Sequence, residues 1–496
     1  MINNLYNIYP LTTELYLYLN IFIFLLYGVF FSNAFKFGFP VLAINLGWLS
    51  LQSLILSFFL MYSHIIIKLT MWDRFLVSDL FSWYLKLLVL FSAIFWLFFS
   101  ISYSQYEKLN SFEYWILILL AIGSMLILTQ VYDLLSMYLV IELQSLIFYI
   151  LASFKRNSEF STEAGLKYFV LGAFSSALLL FGSSILYGFT GLTNFGDFSK
   201  FFSGFLIEFN TFFIGCFTGF IFILISFFFK LSVAPFHMWS PDVYEGSPSS
   251  VTAFLSTLPK IVILALTFRF IYFSFSDFLL IWRNMILFSV IGSLVIGSLG
   301  AFLQTKWKRF FAYSSITHLG FILIGFISGD FQSLLNVMFY FFVYLVTMLN
   351  IFTFILNFRI FYYSSHYQSR YLSEVSSLAT FNPALALTLT FILFSMVGIP
   401  PLAGFFAKFF ILMTTLQTYS FGLSLIAILV SGITCFYYIR LVKEMYFVKK
   451  QDWLFFFLIN KQSSLILGLT IFLIIFLFFD LEFLILLISL SSSLLF

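Results

Sequence analysis

Five ionisable side chains lie deep inside apolar runs: Glu142, Lys230, Lys260, His318 and Lys408. Glu142, in MYLVIELQSLIFYIL, stands about ten residues into its run, near mid-membrane at ~1.5 Å per residue. Lys260 follows Pro259, and His318 lies in KRFFAYSSITHLGFILIG; both are at similar depth in theirs. A charge at the bilayer centre costs at least about 2.5–3.5 kcal/mol on insertion scales, so each needs a partner, water or a proton. A carboxylate, three amines and an imidazole share one chemistry, the uptake and release of protons. A desolvated ammonium gives up its proton more readily, and a carboxylate beside it opposes that. A charge moving nearby can therefore switch Lys230 between loading and release, with Glu142 as its natural partner. The plainer alternatives are a Glu142–Lys230 pair that only ties two helices, a Lys230 that reaches the interface along its stem, and a His318 that only hydrogen-bonds in the core.

The elements that must hold these groups are broken helices. The stretch FKLSVAPFHMWSPDVYEGSPSSVTAFLSTLPK, residues 229–260, places Lys230 at the end of one apolar run and then interrupts the helix with Pro235, Pro241 and Pro248. Lys408 sits in FSMVGIPPLAGFFAKFFIL. Its apolar run, 384–416, would measure about 50 Å as straight helix against a hydrocarbon core of about 30 Å, and GIPPLAG offers the break. Broken helices at the midplane of an inverted repeat are a transporter pattern.

Only 9% of the 496 residues are charged and 62% are hydrophobic, against roughly 25% charged in a soluble domain. The apolar runs are long and do not alternate, so they read as helices. The expected fold is an all-α polytopic membrane protein of about fourteen transmembrane helices. The spans fall near 15–32, 42–64, 82–103, 113–131, 133–153, 165–189, 211–235, 249–273, 278–302, 309–327, 332–358, 384–416, 421–442 and 462–479. Breaks five spans apart, in spans 7 and 12, predict two inverted five-helix repeats, spans 4–8 and 9–13. The corresponding domains are an N-terminal three-helix segment, 1–112, repeats over 113–273 and 274–447, and a C-terminal helix and tail, 448–496. Small residues inside the runs, as in LGAFSSALLLFGSS and VIGSLVIGSLG, suit close helix packing.

Loops after odd-numbered spans hold fifteen cations: Lys36, Lys108, Lys155, Arg156, Lys167, Lys306, Lys308, Arg309, Arg359, Arg370, Arg440, Lys443, Lys449, Lys450 and Lys461. Loops after even-numbered spans hold five, Lys68, Arg74, Lys200, Arg269 and Arg283. The positive-inside rule then puts the odd loops toward the cytoplasm or matrix and both termini on the other side. Lys86, near the start of span 3, is expected to snorkel to the interface.

Several chemistries are not signalled. There is no Gly-rich phosphate loop. Two isolated cysteines, Cys216 and Cys435, cannot supply four ligands to an iron–sulfur cluster and suggest no disulfide framework. His64, His237, His318 and His366 show no metal or haem spacing. Any redox chemistry is expected on another chain. The N-terminal residues lack signal- or transit-peptide character, which suggests insertion where the chain is made. The 77 phenylalanines suggest the T-rich codons of an organelle genome.

Three motifs carry a family resemblance: Lys230 followed by PFHMWSPDVYEG and Pro259-Lys260, KRFFAYSSITHLG at 308–320, and GIPPLAGFFAKF at 398–409. They resemble the antiporter-like membrane-arm subunits of respiratory complex I. PDVYEG points within these to the family of mitochondrial NADH:ubiquinone oxidoreductase chain 2 and bacterial subunit N. The resemblance spans about residues 113–447, and the first three helices match the fourteen-helix form, which implies a plant, algal or protist mitochondrial source. It implies that Glu142, Lys230, Lys260, His318 and Lys408 line a hydrated midplane axis of proton translocation. Glu142 and Lys230 would be a charge pair, Lys260 a relay, and Lys408 the link to the exit or the next subunit. NADH, FMN, iron–sulfur clusters and ubiquinone would lie on other subunits, with no cofactor or metal on this chain. Implied partners are other membrane-arm subunits, including the chain 4 type, and lipids such as cardiolipin, but no nucleic acid; the implied location is the mitochondrial inner membrane with both termini on the intermembrane-space side. A stand-alone cation/proton antiporter and a structural subunit with idle lysines are the competing readings. Glu245 is the most visible variation from the family pattern, and no role is assigned to it.

Overall fold

In the computed structural model, which describes residues 7–32, 39–64, 68–203, 211–362, 365–448, 455–456 and 459–492, every expected span is helical. The chain runs α1 (Thr12–Ser32), α2 (Phe39–Ser63), α3 (Leu80–Tyr106), α4 (Glu113–Leu128), α5 (Leu134–Ala152), α6 (Glu159–Thr190), a short α7 (Phe195–Ser203) and α8 (Thr211–Leu231). It continues with α9 (Trp239–Gly246), α10 (Ser249–Phe268), α11 (Leu279–Phe302), α12 (Trp307–Ile324) and α13 (Phe331–Asn357). It ends with α14 (Leu378–Phe381), α15 (Pro383–Val397), α16 (Ala403–Gln417), α17 (Phe421–Tyr446), α18 (Lys461–Phe479) and α19 (Leu481–Ser492). Eleven of the described helices are long and apolar enough to cross a membrane unaided. The other three spans are α4, α12 with Lys308, Arg309 and His318 in its 18 residues, and the two halves α15 and α16. Strands are marginal: β1 (Leu69–Met71) pairs antiparallel with β2 (Leu76–Ser78), and β3 (Arg359–Tyr362) with β4 (Ser365–Gln368) and β5 (Phe455–Phe456).

Local chemistry sets the helix ends. Asp79 accepts from Ser82 N at 2.8 Å while Ser82 Oγ accepts from Asp79 N at 3.0 Å, a reciprocal cap on α3. Asp133 caps α5 by accepting from Leu135 N at 2.8 Å, and Asn382 caps α15 by accepting from Leu385 N at 3.1 Å. The expected breaks fall between α8 and α9 and between α15 and α16, where Gly398 takes a left-handed φ of 88°.

Small residues let the helices approach. A Cβ at Gly182 of α6 would sit 2.7 Å from Gly219 O of α8, and one at Gly297 of α11 would sit 2.8 Å from Thr317 N of α12. α10 is buried along its length and α13 nearly so, while Phe174, Leu429 and Phe472 of α6, α17 and α18 are exposed, as lipid-facing residues would be. Cys216 and Cys435 are free thiols.

Ion pairs sort the loops onto two faces. Glu107 joins Lys155 and Arg359, linking the loops after spans 3, 5 and 11. On the opposite side Arg74 meets Asp197 at 3.5 Å, and Arg269 meets Asp79 at 2.7 Å. This is the odd and even division of the charge count, although Lys36, Lys449 and Lys450 lie outside the described residues. One expectation fails. Lys86 does not reach the interface; it is 1% exposed and ion-paired with Glu14 of α1, itself 2% exposed. Its Nζ also donates to Pro10 O at 3.4 Å, so the charge is compensated where it lies instead of being carried to water.

Candidate functional site

The first break brings together α5, α6, α8 and α9. On α5, Glu142, Ser145 and Tyr149 stand at i, i+3 and i+7, one face of the helix. Ser145 Oγ donates to Glu142 Oε2 at 3.4 Å. The Tyr149 ring centroid is 5.9 Å from Lys230 Nζ. Lys230 Nζ is buried without a hydrogen-bond partner among the described residues. No direct Glu142–Lys230 ion pair forms among the described residues; Tyr149 lies beside the lysine instead.

Lys260 sits on α10 one residue after Pro259. A proline has no N–H for the carbonyl four residues back, here Leu255, and Tyr244 Oη donates to that carbonyl at 3.3 Å. Tyr344 Oη donates to the neighbouring Ser256 O at 3.1 Å. Lys260 Nζ donates to Ser315 Oγ at 2.9 Å and lies 5.6 Å from the Tyr244 ring. Between Lys230 and Lys260 the rings form a row: Tyr149 edge-on to Tyr168 at 4.9 Å, Tyr168 stacked on Trp239 at 4.7 Å, and Trp239 edge-on to Tyr244 at 6.3 Å.

α12 connects this half to the second break. Ser315, His318 and Phe321 follow at three-residue steps, so they share a face. Ser315 holds Lys260. His318 Nδ1 is 2.7 Å from Tyr340 Oη, with the Tyr344 ring 5.8 Å away. The Phe321 ring lies 5.1 Å from Lys408 Nζ, and Lys408 donates to Val397 O, the last carbonyl of α15, at 2.8 Å. The five residues thus stand in chain order along buried aromatic and hydroxyl-bearing contacts. Directly bonded steps join Lys260 to Ser315 and His318 to Tyr340, not the five ionisable groups to one another.

Sequence reasoning missed the residues around these charges. Tyr149, Tyr244, Ser315 and Tyr340 are polar groups of types common in such helices; only the spacings 142/145/149 and 315/318 hinted at a shared face. It also missed what holds α9. Asp242 accepts from Arg309 at 2.8 Å and from Lys167 at 3.1 Å, and Glu245 is ion-paired with Lys306 and Arg309. Acids three apart on α9 face bases three apart at the α11–α12 junction, so Glu245 anchors the segment after the first break.

Residues 131–434, more than half of the chain, match the family model for the transmembrane region of NADH:quinone oxidoreductase and Mrp antiporters. The NADH-ubiquinone oxidoreductase chain 2 of Marchantia polymorpha is 44% identical over 459 residues, covering 92% of each chain. The NADH-quinone oxidoreductase subunit N of Bartonella bacilliformis is 39% identical over 414 residues, covering 82% of each. Among solved structures, a chain of respiratory complex I from Thermus thermophilus with bound aureothin has a TM-score of 0.76 at 24% identity, covering 94% of this chain and 96% of that one. A chain of the Mrp complex from a Dietzia species has a TM-score of 0.80 at 16% identity, covering 97% and 96%. These two structural likenesses establish the fold.

Proposed function

Because the chain belongs to the family of NADH-ubiquinone oxidoreductase chain 2 and bacterial subunit N, we propose that it translocates protons along Glu142, Lys230, Lys260, His318 and Lys408. It is a membrane-arm subunit of the proton-translocating NADH:quinone oxidoreductase, and the single observation that carries this is the 44% identity to a chain 2 over 92% of both chains. Electron transfer occurs on other subunits, which hold the NADH, FMN, iron–sulfur and quinone sites. A charge change driven by quinone reduction reaches Glu142 and alters how firmly Lys230 holds its proton; Lys260 and His318 pass the proton on, and Lys408 hands it to the exit or the neighbouring subunit. What supports these roles is depth: Lys260, His318 and Lys408 are buried, as is Lys230 Nζ, and idle charges at membrane depth are costly, so ionisable groups there are functional by default.

The finer reading extends to the surroundings. The chain lies in the mitochondrial inner membrane with its odd loops toward the matrix and both termini toward the intermembrane space. It is built as 1–112, 113–273, 274–447 and 448–496, and packs against a chain 4 type subunit and lipids such as cardiolipin.

Glu142→Ala and Lys230→Ala test the path. Each should lower proton pumping and the coupled NADH–quinone rate while NADH oxidation by artificial acceptors persists. Normal coupled turnover in both variants would remove the proposed roles. The family model also embraces Mrp antiporters, so a stand-alone cation/proton antiporter is the second reading. Native electrophoresis of mildly solubilised membranes separates the two: a large band that stains for NADH oxidation and contains this chain supports the complex, and the chain found only in a small unstained band supports the antiporter.

A further inference from the structure

Lys230 Nζ is buried and has no hydrogen-bond partner among the described residues, and the buried Tyr149 Oη beside it meets only the Ser145 hydroxyl, one turn earlier on α5. Buried polar groups are ordinarily satisfied, so an orphaned ammonium beside a phenol with spare hydrogen-bonding capacity marks a place for water. The Tyr149 ring lies 5.9 Å from Lys230 Nζ, and the phenol stands seven residues, about 10 Å of helix rise, beyond Glu142 on the same face of α5. Ser145, between them, already donates to Glu142.

α6 is cut to receive this phenol. The Tyr168 ring meets Tyr149 edge-on at 4.9 Å and the Phe169 ring at 5.7 Å. One turn on, Gly172 leaves a notch: a Cβ there would run into Tyr149 Oη, Cε1 and Cζ. Two rings fix the plane of Tyr149, and a missing side chain leaves room for its hydroxyl. A tyrosine needed only for packing would not require space at its oxygen; phenylalanine would fill the same clamp.

We propose that the Tyr149 hydroxyl is a member of the proton path, joining Glu142 to Lys230 through ordered water. The phenol oxygen takes a proton from water on one side as its own proton leaves to water on the other, so no phenolate forms and charge is conserved. This rests on the proposed roles of Glu142 and Lys230 and supplies the link that their lack of direct contact requires.

The test is Tyr149→Phe in the assembled complex, reconstituted in proteoliposomes, with protons pumped per electron, the coupled NADH–quinone rate and its solvent deuterium effect as readouts. A positioned proton-transfer group contributes roughly 10²–10⁴-fold to the step it serves; with control of turnover shared among steps, the coupled rate is expected to fall about tenfold. The deuterium effect should rise, which lost packing would not cause. Assembly and NADH oxidation by artificial acceptors should be unchanged. Gly172→Ala, which displaces the hydroxyl, should act likewise, whereas Gly188→Ala on the same helix, with nothing within 4 Å of the added carbon, should not. If Gly172→Ala does not assemble, Tyr149→Phe alone decides. Wild-type rate and deuterium effect in Tyr149→Phe, beside lost coupling in Glu142→Gln and Lys230→Met, overturns the role of the phenol and leaves the path standing. Wild-type coupling in all three removes both.

Discussion

The Glu14–Lys86 pair offers the most quantitative test of how this protein carries charge in its interior. Lys86 is 1% exposed and Glu14 2%, and Thr13 Oγ1 also donates to Glu14 Oε2 at 2.6 Å. The pair joins α1 to α3 in the N-terminal three-helix segment. Removing one partner of a buried pair leaves an uncompensated charge, at a cost of about 3–5 kcal/mol, whereas replacing both by apolar or neutral groups of similar size is about neutral or stabilising. Lys86→Met should therefore destabilise the segment by about 4 kcal/mol, roughly a thousandfold in the folding equilibrium at ~1.4 kcal/mol per decade. The double variant Glu14→Gln/Lys86→Met should recover most of that loss, because the new amide keeps a carbonyl for Thr13 and no net charge remains buried. The assay is the amount and thermal midpoint of the assembled complex on native gels, with the two single variants and the double compared. A Lys86→Met complex as stable as the wild type, or a double variant no better than the single, refutes the argument that the pair is compensated in place.

Three further substitutions probe the second break and the surface ion pairs. Pro400→Ala should loosen the turn between α15 and α16 and with it the Val397–Lys408 hydrogen bond, lowering proton coupling. Gly404→Ala, whose Cβ would run into the Ser395 carbonyl, adds overpacking of about 1–3 kcal/mol and should lower coupling and assembled yield further; unchanged coupling in both counts against a functional break. At the surface, burial alone would push the Glu107 carboxyl up, but the hydrogen bond and charge of Lys155, then the charge of Arg359, hold it below the ordinary glutamate value. Its stabilising effect is full above the unfolded value of about 4.3 and is lost as pH falls through the lower folded value. Glu107→Gln should thus flatten the loss of intact solubilised complex below about pH 4; coincident acid curves for variant and wild type on native gels would show that the pair contributes nothing.

What could be read from sequence follows from what is rare in it. Apolar runs interrupted by Pro235, Pro400 and Pro401 are unusual enough that spans and breaks stood out, and lysines within such runs are unusual enough that Lys230, Lys260 and Lys408 did too. Lys86 was misjudged because its partner is remote: Glu14 lies 72 residues earlier in the chain, and no local pattern joins them. The same holds for Glu245, whose bases Lys306 and Arg309 lie on the far side of α10 and α11. Tyr149 was hidden for the opposite reason. It is one of 28 tyrosines, and only the notch at Gly172 and the orphaned Lys230 Nζ distinguish it.

The two breaks look like one device in sequence, a lysine beside a proline-interrupted helix, but they differ in which group satisfies the helix end. The last carbonyls of a helix have no partner within it. At α15 the final carbonyl, Val397 O, accepts from the Lys408 ammonium at 2.8 Å. At α8 the Phe229 carbonyl accepts instead from the Trp239 indole at 2.9 Å, and from Ser232 N at 3.0 Å, while Phe228 O accepts from Val233 N at 3.0 Å. Trp239 thus takes the place at the first break that the lysine holds at the second. Lys230 is left without a backbone anchor, facing a phenol, whereas Lys408 is tethered to the break itself. A lysine with no fixed acceptor responds most to a change in a neighbouring charge; a lysine held by a carbonyl dipole responds mainly when the backbone there moves. Under the proposed proton path, the first break would then sense charge, and the second would couple proton transfer to the geometry of α15 and α16.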